Sequence, residues 1–420
     1  MRRSMFFSGL GLLTGIGLVI ACAMGQGPGG PGGPGPGGPG GPGPGGPGPG
    51  GPGGPILGSP YPGLTRSQLA LFNAGLAQFL EVENVPGGLG PVFTESSCVK
   101  CHANGAPGGS GDRLVTRIGR VVNGQFDPMI AFGGPQIQDR GIGKFNGVNF
   151  VGEVVPPQAT IVIKRRPIPL FGLGLVDAVP DETLIMLAQQ EVLNNPLTAG
   201  RVSVSIDPET GLERVDRFGW KLQQPTVFAF AGDAYLNELG VTTPLNPNEN
   251  CPQGNCALLA ADPAPTNPND LDNSAIEALA SFITLLAPPP RGPVGATQQA
   301  GSVLFGQIGC TDCHTPALET GPSTIAALSQ VTFSPYSDFL LHDMGTLGDG
   351  YPQNQAGPTE MRTAPLWGLR FETTFLHDGR AATVNAAILA HDGQAKASRN
   401  KFAALKATQQ TSVLAFLNSL

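Results

Sequence analysis

This 420-residue chain has little charge, few histidines and no long apolar run outside its first twenty residues. Charged residues make up 13% of it, the formal net charge is −7 and no basic cluster stands out. Nucleic-acid binding needs such a cluster, so nucleic acid is excluded as a partner. Histidine occurs five times, as His102, His314, His342, His377 and His391, too sparsely for zinc sites built from several neighbouring His and Cys ligands. Tryptophan occurs twice, at Trp220 and Trp367. The apolar run, Met5 to Ile20, is sixteen uncharged residues behind Arg2 and Arg3, short of the roughly 20 that a spanning helix needs.

That run has the layout of an export signal, and residues 1–23 are read as a signal peptide. Val19-Ile20-Ala21-Cys22 puts a small residue before cysteine, as bacterial lipoprotein signals do. Ala21-Cys22-Ala23 also fits a small-x-small cleavage site that frees a soluble protein. The lipid anchor on Cys22 is the preferred of the two, and either places the protein in the periplasm or cell envelope. Gly27 to Pro55 contains only Gly and Pro, without the every-third-glycine period of collagen. With no side chains to bury it forms no core, and its prolines hold it part-extended, so residues 24–63 read as a flexible tether.

Seven cysteines divide without remainder. Cys22 is the lipid candidate, and Cys251 and Cys256 are expected to form a disulfide in an oxidising compartment. The other four stand in Cys98-Val99-Lys100-Cys101-His102 and Cys310-Thr311-Asp312-Cys313-His314, two complete CxxCH motifs. Cysteines three apart reach the two vinyl groups of a haem as thioethers, and the adjacent histidine supplies an axial nitrogen to iron. Two copies behind an export signal point to two covalently bound c-type haems.

The expected fold is mainly α: two tandem cytochrome c-like helical domains, residues 64–290 and 291–420, with long irregular loops. Thr65-x-x-Gln68 opens a helix to Leu80 with Leu69, Phe72, Leu76, Phe79 and Leu80 on one face. Ser274-x-x-Glu277 opens another, with Leu279, Phe282, Ile283 and Leu286, stopped at Pro288 to Pro290. The second half restarts with a short helix before Cys310 and closes with an apolar helix over 412–420. Arg166-Pro167-Ile168-Pro169-Leu170-Phe171-Gly172-Leu173 matches Arg362-Thr363-Ala364-Pro365-Leu366-Trp367-Gly368-Leu369 at an offset of 196, as a duplication would. The offset then becomes 200, pairing the helix after Asp181 with the one after Arg380 and setting Glu191 opposite His391.

Beyond the two motifs, every remaining histidine falls in the second half. Val384, Ala387, Ile388 and His391 fall on one helical face, so His391 is expected as the sixth ligand of the second iron. His342, Met344, Met361 and His377 are rivals for that place. The first iron has either Met129 or an open face, and open is preferred, because a vacant iron binds peroxide whereas a six-coordinate one mainly passes electrons. Glu191 is then the candidate proton shuttle, with Gln190 as the fallback.

Together these residues resemble the bacterial dihaem cytochrome c peroxidase superfamily, and within it the dihaem oxidoreductases described as peroxidases or thiol oxidoreductases. The resemblance spans about 64–420. It is carried by Gly88-Leu89-Gly90-Pro91-Val92-Phe93, Leu170-Phe171-Gly172-Leu173-Gly174-Leu175, Phe218-Gly219-Trp220-Lys221, Leu341-His342-Asp343-Met344-Gly345, and Ala364-Pro365-Leu366-Trp367-Gly368 with His377-Asp378-Gly379-Arg380-Ala381. It implies peroxide reduction at the N-terminal haem beside a distal glutamate, and an electron relay at the C-terminal haem through the residue fourteen after His377, here His391. It also implies a small redox protein or a quinol-linked electron donor, and a calcium ion between domains, for which no loop is legible. A histidine at 391 departs from the methionine usual in the superfamily.

Overall fold

The computed structural model describes residues 56–264 and 268–420. The signal peptide, Cys22 and residues 24–55 of the tether lie outside the described residues. The tether's end, 56–63, lies within them, and it is pinned down: Tyr61 N–H donates to Leu285 O at 2.7 Å and Ala287 N–H to Ser59 O at 3.0 Å. No helix of the described residues is long and apolar enough to cross a membrane.

The helices are α1 (Arg66–Leu80), α2 (Leu173–Asp177), α3 (Asp181–Asn194), α4 (Val227–Leu239), α5 (Ser274–Leu285), α6 (Ala296–Gln307), α7 (Val384–Leu389), α8 (Lys396–Ala404) and α9 (Ala407–Leu417). Thr65 and Gln68 form the expected capping box on α1. Its buried stripe is narrower than expected: Phe72 and Phe79 are buried, whereas Leu69 and Leu80 face solvent. Asn273, not Ser274, precedes the first turn of α5 without a side-chain cap, and Asp270 and Asp272 accept from the N–H groups of Ala275 and Ser274 instead.

Helix pairing repeats. α1 crosses α5 at Gly75, where a Cβ would overlap the Ala278 carbonyl, and α6 crosses α9 at Gly301, where it would overlap the Ser412 carbonyl. Four residues on, Phe79 meets Phe282 at 4.9 Å between ring centroids and Phe305 meets Phe416 at 5.3 Å. The same Gly-x-x-x-Phe device thus locks both pairs.

Strands do more than the sequence suggested. β1 (Val115–Val122) pairs antiparallel with β2 (Gln125–Asp127) through its last residues, and with β3 (Gln136–Ile137) and β4 (Ile161–Arg165) through its first. Farther on, β5 (Leu341–Asp343) pairs with β6 (Glu360–Arg362). Each repeat copy starts where a strand stops: β4 delivers Arg166 and β6 ends on Arg362. Gly172 and Gly368 both sit at positive φ, 73° and 78°, and a Cβ on either would press on Pro288 or Pro289, so only glycine lets the two copies close on that proline run.

Two main apolar clusters result. The larger runs from Phe72 to Phe339 and recruits Leu318, Leu328 and Phe333 from beyond residue 290. The smaller is Phe305, Ile308, Tyr336, Phe402, Val413, Phe416, Leu417 and Leu420. Cys251 and Cys256 form the expected disulfide.

Candidate functional site

Both CxxCH segments coil into one 3-10 turn after a helix, Cys98–Lys100 after α1 and Cys310–Asp312 after α6. In each, the histidine N–H donates to the first cysteine's carbonyl, His102 to Cys98 at 3.0 Å and His314 to Cys310 at 2.9 Å. The preceding helix sets a phenylalanine against each imidazole, Phe79 at 6.4 Å from His102 and Phe305 at 6.2 Å from His314. The repeated segment anchors beside each motif, Leu170 N–H to Gly108 O at 2.7 Å and Leu366 N–H to Pro335 O at 2.8 Å. The next carbonyl along takes the ring: His102 Nδ1 donates to Gly109 O at 3.1 Å and His314 Nδ1 to Tyr336 O at 2.9 Å.

A carbonyl can only accept, so each of these nitrogens carries the proton; at His314 that leaves Nε2 with a lone pair, the form that binds a metal, while the His102 ring also faces a second carbonyl, Ile168 O. Burial favours the same neutral state. It pushes His102 and His314 down to about 4, against the hydrogen bonds that their rings donate to carbonyl oxygens. Burial likewise pushes the Cys98, Cys101 and Cys310 thiols up to about 12, and raises Cys313.

His391 lies two residues beyond the last turn of α7, which stops at Leu389, and so is not on the helical face where it was expected. Its Nδ1 donates to Ala387 O at 2.8 Å, and burial lowers its pKa. With Cys310, Cys313 and His314 it walls one cavity of about 250 Å³. Two neutral imidazoles, each fixed at Nδ1, and two thiols on one cavity wall form the donor set that a c-type haem requires. The thiol pair and fixed imidazole at Cys98, Cys101 and His102 fit the same group.

Among the rivals of His391, the two histidines are engaged. His342 is spent at both nitrogens, on Asp338 Oδ2 at 2.9 Å and on Cys313 Sγ at 3.5 Å. Burial alone would lower it, and the Asp338 carboxylate overrides that and holds it well above its ordinary value. His377 faces the Arg380 guanidinium at 3.3 Å, and burial takes it down to about 4. Met344 and Met361 share the cavity wall. Met129 is wholly buried with Ile118 and Ile137 beside the β1 sheet, in a cluster that contains no part of the first motif.

Glu191 is not where its register suggested. α3 ends against residues 198–200, so Glu191 Oε2 accepts from Gly200 N–H at 2.8 Å while Oε1 lies buried with no partner among the described residues. Burial, with Asp338 next, pushes it up to about 7, and its other charged neighbours are His342 and Asp312. These residues surround Cys313, so the structure brings Glu191 to the second motif and not to His102. Gln190 is exposed. The acids that act on Cys98 and Cys101 are Glu83, Glu238 and Glu95; Glu238 of α4 accepts from Gln136 at 2.8 Å and is raised by burial, and Glu83 accepts from the Tyr235 hydroxyl at 2.7 Å.

Sequence reasoning missed Glu238, the Asp338–His342 pair and the arginines of the repeat. Arg166 and Arg362 opened the matched octets, so the signal was present, but an arginine's partner is legible only in three dimensions. Trp220 and Trp367 both wall the cavity, and Trp220 Nε1 donates to Arg166 O at 2.9 Å.

A family model described as "Di-haem oxidoreductase, putative peroxidase" matches residues 157–420, which contain the second motif and not the first. No curated protein matches the chain. Among solved structures the chain is similar to hydrazine synthase of Kuenenia stuttgartiensis, with 17% identity over 42% of this chain and 65% of that one and a TM-score of 0.27. It is also similar to the dihaem peroxidase BthA of Burkholderia thailandensis E264, with 14% identity over 69% and 94% and a TM-score of 0.30. A MauG-like protein associated with microbial copper homeostasis shares 17% identity over 58% and 90%, with a TM-score of 0.29.

Proposed function

Because this chain belongs to the di-haem oxidoreductase family, we propose that it is an exported enzyme with one covalent c-type haem at Cys98, Cys101 and His102 and another at Cys310, Cys313 and His314, reducing hydrogen peroxide at the first site with electrons taken in at the second. When bound, the haems would supply one-electron chemistry, held by Cys98, Cys101 and His102 at one site and by Cys310, Cys313 and His314 at the other. The observation that carries this reading is the pair of Nδ1-fixed imidazoles, His314 and His391, on the wall of one cavity with Cys310 and Cys313.

The polypeptide's work at the second site is to fix ligand geometry. Tyr336, whose carbonyl holds His314, sits at φ 53°, uncommon for a bulky residue and tolerated because Phe305 and Phe416 pack around its ring. At the first site one imidazole, His102, stands beside the cysteine pair, and Met129 packs elsewhere. That asymmetry supports assigning electron entry to the second site and substrate to the first. Glu191 is dropped as the proton shuttle, given its place beside Cys313.

The electron donor is a small redox protein or a quinol-linked one, and a lipid on Cys22 would hold the enzyme at a membrane surface. Calcium gains no support: the cluster of His, Cys and acidic ligands among the described residues is Cys313, Asp338 and His342, where Cys313 belongs to the haem thioether. The test is peroxide turnover by purified, haem-matured protein with a reduced mediator, read beside the spectrum of the oxidised form. Turnover with one high-spin and one low-spin signal is expected. Two low-spin signals without turnover would make the protein an electron carrier instead.

A further inference from the structure

The cavity wall holds four arginines, and three of them are answered. Arg166 meets Glu372 at 2.6 Å, Arg217 meets Asp181, and Arg399 donates to His391 O at 2.9 Å with Asp392 at 3.8 Å. Arg362, the repeat partner of Arg166, is different. Its Nε donates to Gly219 O at 2.8 Å and its Nη1 to Thr363 O at 3.2 Å, and its guanidinium lies 5.6 Å from the Phe339 ring centre. No carboxylate pairs with it among the described residues. The acid that acts on it, Asp338, is held by His342 at 2.9 Å. Arg362 is 6% exposed, and although burial pushes it down to about 10 it stays a cation at neutral pH.

A buried charge without a counter-ion is strongly unfavourable, and a chain that keeps one is built around an anion it does not itself supply. In the first copy the chain provides that anion as Glu372. In the second copy the guanidinium instead borders the space walled by Cys310, Cys313, His314 and His391, and a haem held there brings two propionate carboxylates. We infer that Arg362 is the built-in counter-cation of a propionate on the haem at the second motif, a positioning residue that keeps that carboxylate ionised and tunes the iron's potential. The inference rests on the haem assignment above. Arginine suits the task because its fork gives paired, charge-assisted hydrogen bonds to a carboxylate.

The test is a redox titration of the matured, full chain across neutral pH, comparing wild type with Arg362→Gln and Arg362→Lys. With the cation gone, an unbalanced propionate favours the oxidised iron and begins to titrate. Arg362→Gln should therefore lower the midpoint potential of the low-spin haem and make it fall more steeply with pH, while Arg362→Lys stays near wild type and the low-spin band is unchanged in both. A Gln variant that matches wild type, or Lys and Gln variants that shift alike, would overturn the inference. If the Gln variant does not mature, redox-difference infrared spectra of wild type carrying haem labelled with carbon-13 at its carboxyls decide: an ionised carboxylate band supports the inference, and only protonated-acid bands overturn it. A chain lacking haem at the second motif, by mass and by the missing low-spin band, sinks the functional reading as well; a haem-bearing chain with the wrong potentials sinks this inference alone.

Discussion

His391 lies just past α7, with its Nδ1 spent on Ala387 O and its Nε2 left for a metal. His391→Ala should therefore convert the low-spin haem signal of the oxidised protein to high spin, and His391→Met should keep it low-spin at a raised potential. Absorption and paramagnetic-resonance spectra check both, and an unchanged low-spin signal in the alanine variant would exclude His391 as a ligand. Helix period in the sequence put His391 on the apolar face of α7, although the helix ends two residues before it. Glu191 came from the repeat register alone, and it failed because the chain leaves α3 through residues 198–200 into the second motif's surroundings. Glu153, which no motif marks, carries its own prediction. It accepts from Gln138 N–H at 2.9 Å and Gln253 N–H at 2.6 Å, and burial pushes it from 4.5 up to about 7. A carboxyl raised on folding takes up a proton as the chain folds, so its contribution is most favourable below the unfolded value and is lost as pH rises through about 7. Melting temperature should fall between pH 5 and pH 8, and Glu153→Gln should flatten that slope by about 3 kcal/mol at most.

α6 contains two glycines with different surroundings, which makes helix packing testable inside one element. A Cβ at Gly301 would overlap the Ser412 carbonyl of α9, whereas a Cβ at Gly306 meets nothing within 4 Å. Gly301→Ala should lower stability by about 1–3 kcal/mol in spite of alanine's better helix propensity, and Gly306→Ala should be neutral or stabilising by up to about 1 kcal/mol. Denaturant titration measures both, and equal effects would contradict the close crossing. Capping and 3.6-residue period made α1 legible, the period alone made α5 so, and the apolar run showed the last helix. The β1 to β4 sheet was not legible, because its strands are short or half-buried and lack the clean alternation that marks a strand. That sheet nonetheless delivers Arg166 to the cavity wall.

Asp349 ties distant parts of the molecule together. Its carboxylate meets Arg165 at 2.7 Å and Lys221 at 3.0 Å, and all three side chains are buried. Asp349→Asn would leave two buried cations without their anion, a change of about 3–5 kcal/mol. It should lower the denaturation midpoint of one cooperative transition, and two separate transitions in wild type would show that residues on either side of 290 unfold independently. Sequence spacing placed a boundary there because the helix plan restarts, yet it carried no sign that Leu318, Leu328 and Phe333 pack into the earlier cluster, since such packing depends on chain paths through loops. Both proposed haem sites depend on the thiols at Cys98, Cys101, Cys310 and Cys313 each ending in a thioether. Intact mass spectrometry of the denatured protein, matured in a host that attaches haem, tests this most directly. The polypeptide mass plus two haems is the expected result; a bare polypeptide, or one haem alone, would contradict it.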